Sequence, residues 1–354
     1  MTPDSQMMAA LYYRPGEARY EAMPTPQPGP GELLVRIGKA LTCGTDLKSL
    51  RRGHPVLLPN PPCPFGHEFA GTVAAVGEGV TAFEVGDRVV AANSAPCYQC
   101  YCCQKGQHNL CEQLSFLNGA YAEYICIPKQ IVSYNTHRIP DHLPFEVAAF
   151  TEPLAVSLRG VELSDVSPGD HVAILGLGAI GQLLVRVAKW KGAHVTALAR
   201  SPYKLEVARR FGLADQTVQI AEGWDPKTVC ADFTPQGRGF DVVIEAVGLP
   251  QTWEQSVAMV RRGGRVNLFA GCESGTTLTL DTRRLHYDEL TLLSLFHHTP
   301  YYVKRALDLL SDFTIDPTPL ISEEMPMAQF ETALHKVSTG QAIKIALNPV
   351  AGGV

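Results

Sequence analysis

Ten cysteines occur in the chain, and five of them fall within PCYQCYCCQKGQHNLC, residues 96–111. Cys97, Cys100, Cys103 and Cys111 follow the pattern C-x2-C-x2-C-x7-C. Two-residue gaps let a tight turn aim successive thiolates at one centre. The longer gap lets the chain return and close a tetrahedron. Four thiolates with no open position describe a structural zinc site, which holds a loop and does no chemistry. Zinc binding in such knots is worth of order 10–16 kcal/mol, enough to order a loop that lacks its own core. The residues between the cysteines, among them Gln99, Gln104, Lys105, Gln107, His108 and Asn109, are mainly polar and supply no such core. Cys102 is the spare thiol and reads as a bystander.

A metal that takes part in a reaction needs other, open ligands. LTCGTDLKSL (41–50) offers Cys43, and PFGHEFAGTVAAVGEGV (64–80) offers His67 and Glu68. TEPLAVSL (151–158) adds Glu152 just before a Pro turn. A thiolate, an imidazole and a carboxylate suit zinc. A lone Cys or His more often packs than ligates, so these residues by themselves leave both readings open. A different chemistry is written in GLGAIG, as Gly176-x-Gly178-x-x-Gly181. Gly176 permits a tight turn, Gly178 lets a pyrophosphate approach the backbone, and Gly181 lets a helix pack on a strand. The helix N-terminus adds free N–H groups and partial positive charge.

These residues need a scaffold. HVAIL reads as a buried parallel strand before the glycines, and QLLVRVAKW repeats apolar residues at helical spacing after them. That strand–turn–helix setting makes the glycine pattern a dinucleotide signature. The rhythm continues with HVTALA as strand, SPYKLEVARRFG as helix, FDVVIEAVG as strand and LPQTWEQSVAMVRRGG as helix. RVNLFAG and LTLLSLF give two more strands. Such alternation predicts an α/β fold with a doubly wound parallel sheet over residues 156–296. Residues 1–155 are rich in Gly and Pro, with short runs such as ELLVRIG, GTVAAVG and DRVVAAN, and read as an irregular β-barrel. After 297, YYVKRALDLLSDF and MAQFETALHKVSTG read as helices and AIKIALNPV as a strand.

Composition bounds the function. The chain has 354 residues, which suits two domains, and 45% hydrophobic and 18% charged residues, an ordinary globular mix. A net charge of −5 disfavours a general nucleic-acid or anionic-membrane binder. MTPDSQMMAALYYRPGEARYE lacks a basic start followed by an apolar run, and no stretch approaches a membrane span. The expectation is a cytoplasmic protein with no nucleic-acid or membrane partner, in which clustered cysteines bind metal.

GHEFAGTVAAVGEGV, the four-cysteine lobe and the downstream dinucleotide signature fall in an order that resembles the zinc-containing medium-chain dehydrogenases, over essentially the whole chain. Glutamate at 152, where the alcohol dehydrogenase branch carries cysteine, resembles the sorbitol (polyol) branch. The resemblance implies a GroES-like catalytic domain, made of residues 1–155 and a return segment 297–354, and a Rossmann domain at 156–296. It implies one catalytic and one structural zinc per chain. Cys43, His67 and Glu152 would hold the catalytic zinc, with Glu68 as a direct or exchanging ligand. Asp46 would accept the other N–H of His67 and fix its tautomer. Thr45 would handle the proton of the reacting hydroxyl. The family usually places His five residues after the ligand cysteine, and here that position is Lys48. Either Lys48 relays the proton, or the route runs through cofactor ribose and water, with Lys48 a solvated surface lysine.

The acidic residue that selects NAD would stand, by spacing and by resemblance, at Ala199. Without that carboxylate a 2′-phosphate is not repelled, and Arg200, Ser201 and Lys204 can donate to it. The expected cofactor is NADP(H), preferred over NAD(H), with Ile180 and Val247 completing its binding set. The expected reaction is reversible hydride transfer between NADP(H) and a secondary alcohol, of polyol or sugar-like type. Its site would lie in the cleft between the domains, in a dimer or tetramer. A threonine-type amino-alcohol dehydrogenase shares the Cys-Gly-Thr-Asp start and is the nearest rival. A non-catalytic zinc or nucleic-acid binder built on the cysteine lobe is the rival from another class. His54, Phe65, Phe116 and Tyr121 read as pocket walls or core, and His297 and His298 as a hinge turn or as groups that reach the nicotinamide or substrate.

Overall fold

The computed structural model describes residues 4–349. The chain forms two compact units: one runs to Ala155 and resumes at His298, and the other is Val156–His297.

The first unit is built around the strand Leu33–Leu41, whose apolar run LLV is fully buried. It pairs antiparallel with the strand Glu68–Val76, from Leu33 opposite Val76 to Leu41 opposite Glu68. On its other edge the strand Tyr124–Ile127 takes one half. The strand Lys344–Asn348 takes the other, with Ala346 opposite Leu41 and Leu347 opposite Ala40. Glu68 and residue 344 therefore converge on the end of one strand, just before Cys43. Glycines make the close approach possible. A Cβ at Gly71 would stand 2.1 Å from the Arg36 carbonyl oxygen, and one at Gly77 would stand 1.9 Å from that of Gly29. Phe65, Phe69, Tyr121, Ile127, Phe330 and Leu347 belong to the core beneath.

The second unit is a six-stranded sheet in the order Gln216–Gln219, His194–Ala199, His171–Leu175, Phe240–Glu245, Val260–Leu268, Thr291–Ser294. Every pairing is parallel. From His171–Leu175 the chain adds two strands on one side, then crosses to the other side at Phe240–Glu245, so the strand order reverses there and a crevice opens beyond its carboxyl end. The central strands VAIL and VVIE are buried throughout, as a sheet covered on both faces requires.

Two local expectations fail for identifiable reasons. The helix predicted over 249–264 is Pro250–Met259, and VRRGG already belongs to the strand Val260–Leu268. Consecutive glycines are poor helix formers, and Gly263 adopts φ +68°. The turn predicted at Pro153 is instead the first turn of the helix Thr151–Leu163. A proline costs nothing there, because that N–H has no partner in the helix. No helix among the described residues is long and apolar enough to cross a membrane.

Candidate active site and metal centres

Cys43 caps the helix Gly44–Arg52, and its Sγ accepts the Thr45 amide at 3.5 Å. Asp46, in the first turn, completes a capping box by accepting the Cys43 N–H at 3.1 Å. Its other oxygen lies 2.8 Å from His67 Nδ1. Asp46 accepts there, so Nδ1 donates, and Nε2 is the nitrogen left for a ligand role. His67 follows Gly66, which has φ +93°, and precedes the strand Glu68–Val76. The result is that ligand atoms of Cys43, His67 and Glu68 all lie within 4.8 Å of one another.

Glu152 does not join that trio. It is buried on the helix Thr151–Leu163, and its carboxylate stands 3.9 Å from Nε2 of buried His298. His298 Nε2 is 2.9 Å from Asn93 Oδ1. Thr45 is exposed beside Cys43, and Lys48 is exposed on the same helix. Among the described residues no side-chain hydrogen bond or ion pair engages Lys48.

The electrostatics of the pocket test whether a metal fits. Burial and then Glu68 push the Cys43 thiol up. Burial also raises Glu68, despite Lys344. Burial lifts Glu152 to about 7, against the pull of His67. Burial thus holds back ionisation of all three acids even with Lys344 and His67 beside them, and His67 itself is raised well above its ordinary value. One oxygen of Glu68, Oε1, is buried with no hydrogen-bond partner among the described residues. A divalent cation would favour the ionised acids and give Glu68 Oε1 a partner, and the thiolate–imidazole–carboxylate donor set suits zinc.

Lys344 is the residue that sequence reading missed. It is 1% exposed, ion-paired to Glu68, and donates to the Thr42 carbonyl at 2.8 Å. Lysine is almost never fully buried unless paired, so one lysine inside AIKIAL was the available signal. Tyr121, read as wall or core, is fully buried and donates to Asp46 Oδ2 at 2.6 Å. Phe65 is core, while His54 and Phe116 are half-buried.

The second cluster brings Cys97, Cys100, Cys103 and Cys111 together and leaves Cys102 out. Backbone amides point at the sulfurs: Cys97 N–H donates to Cys111 Sγ at 3.2 Å and Gln113 N–H at 3.3 Å, while Glu112 N–H donates to Cys100 Sγ at 3.4 Å. The Cys103 and Glu112 amides pull the Cys100 thiol down to about 6, whereas burial pushes Cys103 up to about 12. Four sulfurs with amide donors around them fit a closed metal site.

In the second unit Gly176 has φ +99°, and a Cβ there would lie 2.7 Å from a Val247 methyl. A Cβ at Gly181 would lie 1.9 Å from the Gly176 oxygen, so helix and turn touch. Gly178 caps the helix Ala179–Trp190 and has open space above it, the room a phosphate needs. Ile180 is half-buried in the first turn. Glu245, also missed, is buried and holds the Val247 and Gly248 amides at 2.8 and 3.0 Å and the Thr252 hydroxyl at 2.7 Å. It shapes the loop against Gly176. Ala199 ends its strand with a buried methyl, Arg200 is exposed, and Ser201 caps the helix Pro202–Val207 by accepting the Lys204 amide at 3.4 Å. Burial and then Arg200 lower the Lys204 ammonium.

Comparison with known proteins agrees with this geometry. Residues 29–141 match the alcohol dehydrogenase GroES-like domain, and residues 179–312 match the zinc-binding dehydrogenase domain. The chain is 30% identical to a sorbitol dehydrogenase of Halalkalibacterium halodurans, over 97% of this chain and 100% of that protein. It is 32% identical to an L-threonine 3-dehydrogenase of Bacillus licheniformis, over 97% and 99%. A structure described as a zinc-binding dehydrogenase of Sinorhizobium meliloti 1021, bound to NADP, superposes with a TM-score of 0.88 at 31% identity, covering 98% of this chain and 100% of that one. The chain belongs to the zinc-binding, alcohol-dehydrogenase-type medium-chain dehydrogenases and is an oxidoreductase.

Proposed function

We propose that the chain catalyses reversible hydride transfer between NADP(H) and a secondary alcohol of polyol or sugar-like type. The first unit would hold the metal and substrate, and Val156–His297 would hold the cofactor. The observation that carries the reading is the Cys43–His67–Glu68 trio, whose ligand atoms lie within 4.8 Å of one another beside an unpartnered buried oxygen of Glu68. Cys43 and His67, with Glu152 and Glu68 as alternative carboxylates, would hold a zinc ion that supplies Lewis acidity toward an alcohol oxygen, while NADP(H) supplies the hydride carrier.

The chain's own residues do the rest. Asp46 keeps the proton of His67 on Nδ1. The Thr45 hydroxyl, exposed beside Cys43, takes the substrate hydroxyl proton and passes it outward. Lys48, on the same helix, is available to carry that proton to solvent. Gly176, Gly178 and Gly181 bring the helix N-terminus to the pyrophosphate, with Ile180 and Val247 flanking it. Arg200, Ser201 and Lys204 donate to the 2′-phosphate that Ala199 does not repel. The four-cysteine lobe is structural.

Glu152 and the sorbitol dehydrogenase relative favour a polyol. The threonine 3-dehydrogenase relative, at slightly higher identity, supports an amino-alcohol substrate as the second reading. A panel of polyols, simple secondary alcohols and L-threonine, each with NADP and NAD, separates them. Turnover of polyols with NADP is expected, and exclusive turnover of L-threonine would replace the substrate assignment. Cys43→Ser is expected to lose one of two zinc equivalents and nearly all turnover. Full turnover in that variant would end the metal mechanism.

A further inference from the structure

Tyr121 sits 75 positions from Asp46 in sequence, yet its phenol oxygen lies 2.6 Å from Asp46 Oδ2. The same hydroxyl is 3.2 Å from the Leu41 carbonyl. A phenol has one proton to give. The shorter contact, to a carboxylate, is the stronger acceptor and takes it. Asp46 then accepts on both oxygens, with Tyr121 O–H and Cys43 N–H on Oδ2 and His67 Nδ1 on Oδ1. The carboxylate cannot rotate without breaking one of these bonds. Its hold on His67 is fixed from the far side.

The tyrosine is itself held rigidly. It is fully buried, packs edge-on against Phe65 with ring centroids 5.2 Å apart, and donates its amide to the Phe65 carbonyl at 2.9 Å. Gly66 makes the space: a Cβ there would lie 2.4 Å from the ring. The residue immediately before His67 therefore lacks a side chain so that Tyr121 can reach Asp46.

We propose that Tyr121 is a positioning residue for the His67 metal ligand, acting through Asp46. This rests on the reading of Cys43 and His67 as ligands of the working metal. Partners one step removed from a metal typically change its affinity 10–100-fold. Tyr121 acts one step further out, so the low end, about tenfold, is expected.

The test compares purified wild type, Tyr121→Phe, Asp46→Asn and the double variant. Zinc content is measured first, then zinc release to a chelating dye, with Cys43→Ser identifying the phase that belongs to its site. Tyr121→Phe keeps the ring and its packing. It is expected to release the Cys43–His67 metal about tenfold faster, with the four-cysteine phase unchanged. Asp46→Asn probes the same link from the other partner, and Tyr121→Phe is expected to add nothing in that background. Equal release from wild type and Tyr121→Phe would overturn the inference, as would an undiminished effect in the Asp46→Asn background. Wild type holding zinc only at the four cysteines would overturn the metal reading, and this inference with it.

Discussion

At the scale of single residues, the site combines local signals with distant partners. Cys97, Cys100, Cys103 and Cys111 announce themselves because their spacing is short and their chemistry specific. Cys43, His67 and Asp46 are legible through the motif that surrounds them. Lys344 and Tyr121 are not, because what gives each its meaning lies far away: Lys344 meets Glu68 across 276 positions, and Tyr121 meets Asp46 across 75. Read locally, one is a lysine in an apolar strand and the other an aromatic residue of the core. On the proposed NADP reading, Arg200 is the residue on which cofactor choice would turn most sharply. It is exposed at the end of the strand His194–Ala199, and no carboxylate stands at Ala199 to oppose a phosphate. A hydrogen bond to a charged group is worth about 1.5–3 kcal/mol, roughly a ten- to hundredfold change in affinity. Arg200→Ala should weaken NADPH by that factor and leave NADH unchanged. Titration of each by nicotinamide fluorescence measures this, and equal losses for both would remove Arg200 from the phosphate.

At the scale of elements, the periodic pattern foretold the central strands and most helices because burial on both faces leaves an unbroken apolar run. It failed where glycine or proline sits at an element boundary. VRRGG continued an apparent helix on paper but enters a strand, and Pro153 looked like a stop but begins a helix. The edge strand Gln216–Gln219 was hidden because it is largely polar and only partly covered. Glycine also sets the spacing between elements. The strand Glu68–Val76 can approach Leu33–Leu41 only because Gly71 has no side chain, since a Cβ would meet backbone at 2.1 Å. Backbone cannot swing aside as a side chain can. Gly71→Ala is therefore expected to destabilise the first unit by about 3 kcal/mol or more. Thermal unfolding of the variant beside wild type would register this as a lower midpoint, and an unchanged midpoint would mean the two strands have slack.

At the scale of the whole molecule, each unit carries its own ties. In the second unit, Asp241 joins two neighbouring strands: it accepts the His171 amide at 2.7 Å and pairs with Arg261 at 2.5 Å. Burial alone would raise its carboxyl, but Arg261 and the His171 amide outweigh burial and hold it below the ordinary range. Asp215 is lowered in the same way, with Lys189 and the Val195 amide overcoming burial. A depressed folded-state pKa gives stability that is present above the unfolded value, about 4, and is lost as pH falls through the depressed one. Urea unfolding at pH 7, 5 and 3 should show the wild type weakening only at the acid end. Asp241→Asn should be less stable at pH 7 and lose less on acidification. Parallel curves for the two proteins would deny Asp241 that part.

The division of the first unit into two stretches of chain has a consequence for its biogenesis. Cys43, Asp46, His67, Glu68 and Tyr121 have all been synthesised by residue 121, but Lys344 emerges only after the entire second unit. At ribosomal speeds that is a delay on the order of tens of seconds. Throughout it Glu68 has no ammonium beside it, and the edge of Leu33–Leu41 that Lys344–Asn348 will cover stays open. If Cys43, His67 and Glu68 hold the metal as proposed, the nascent chain carries its ligands long before it can close the site around them, and loading in the final geometry would be a post-translational event.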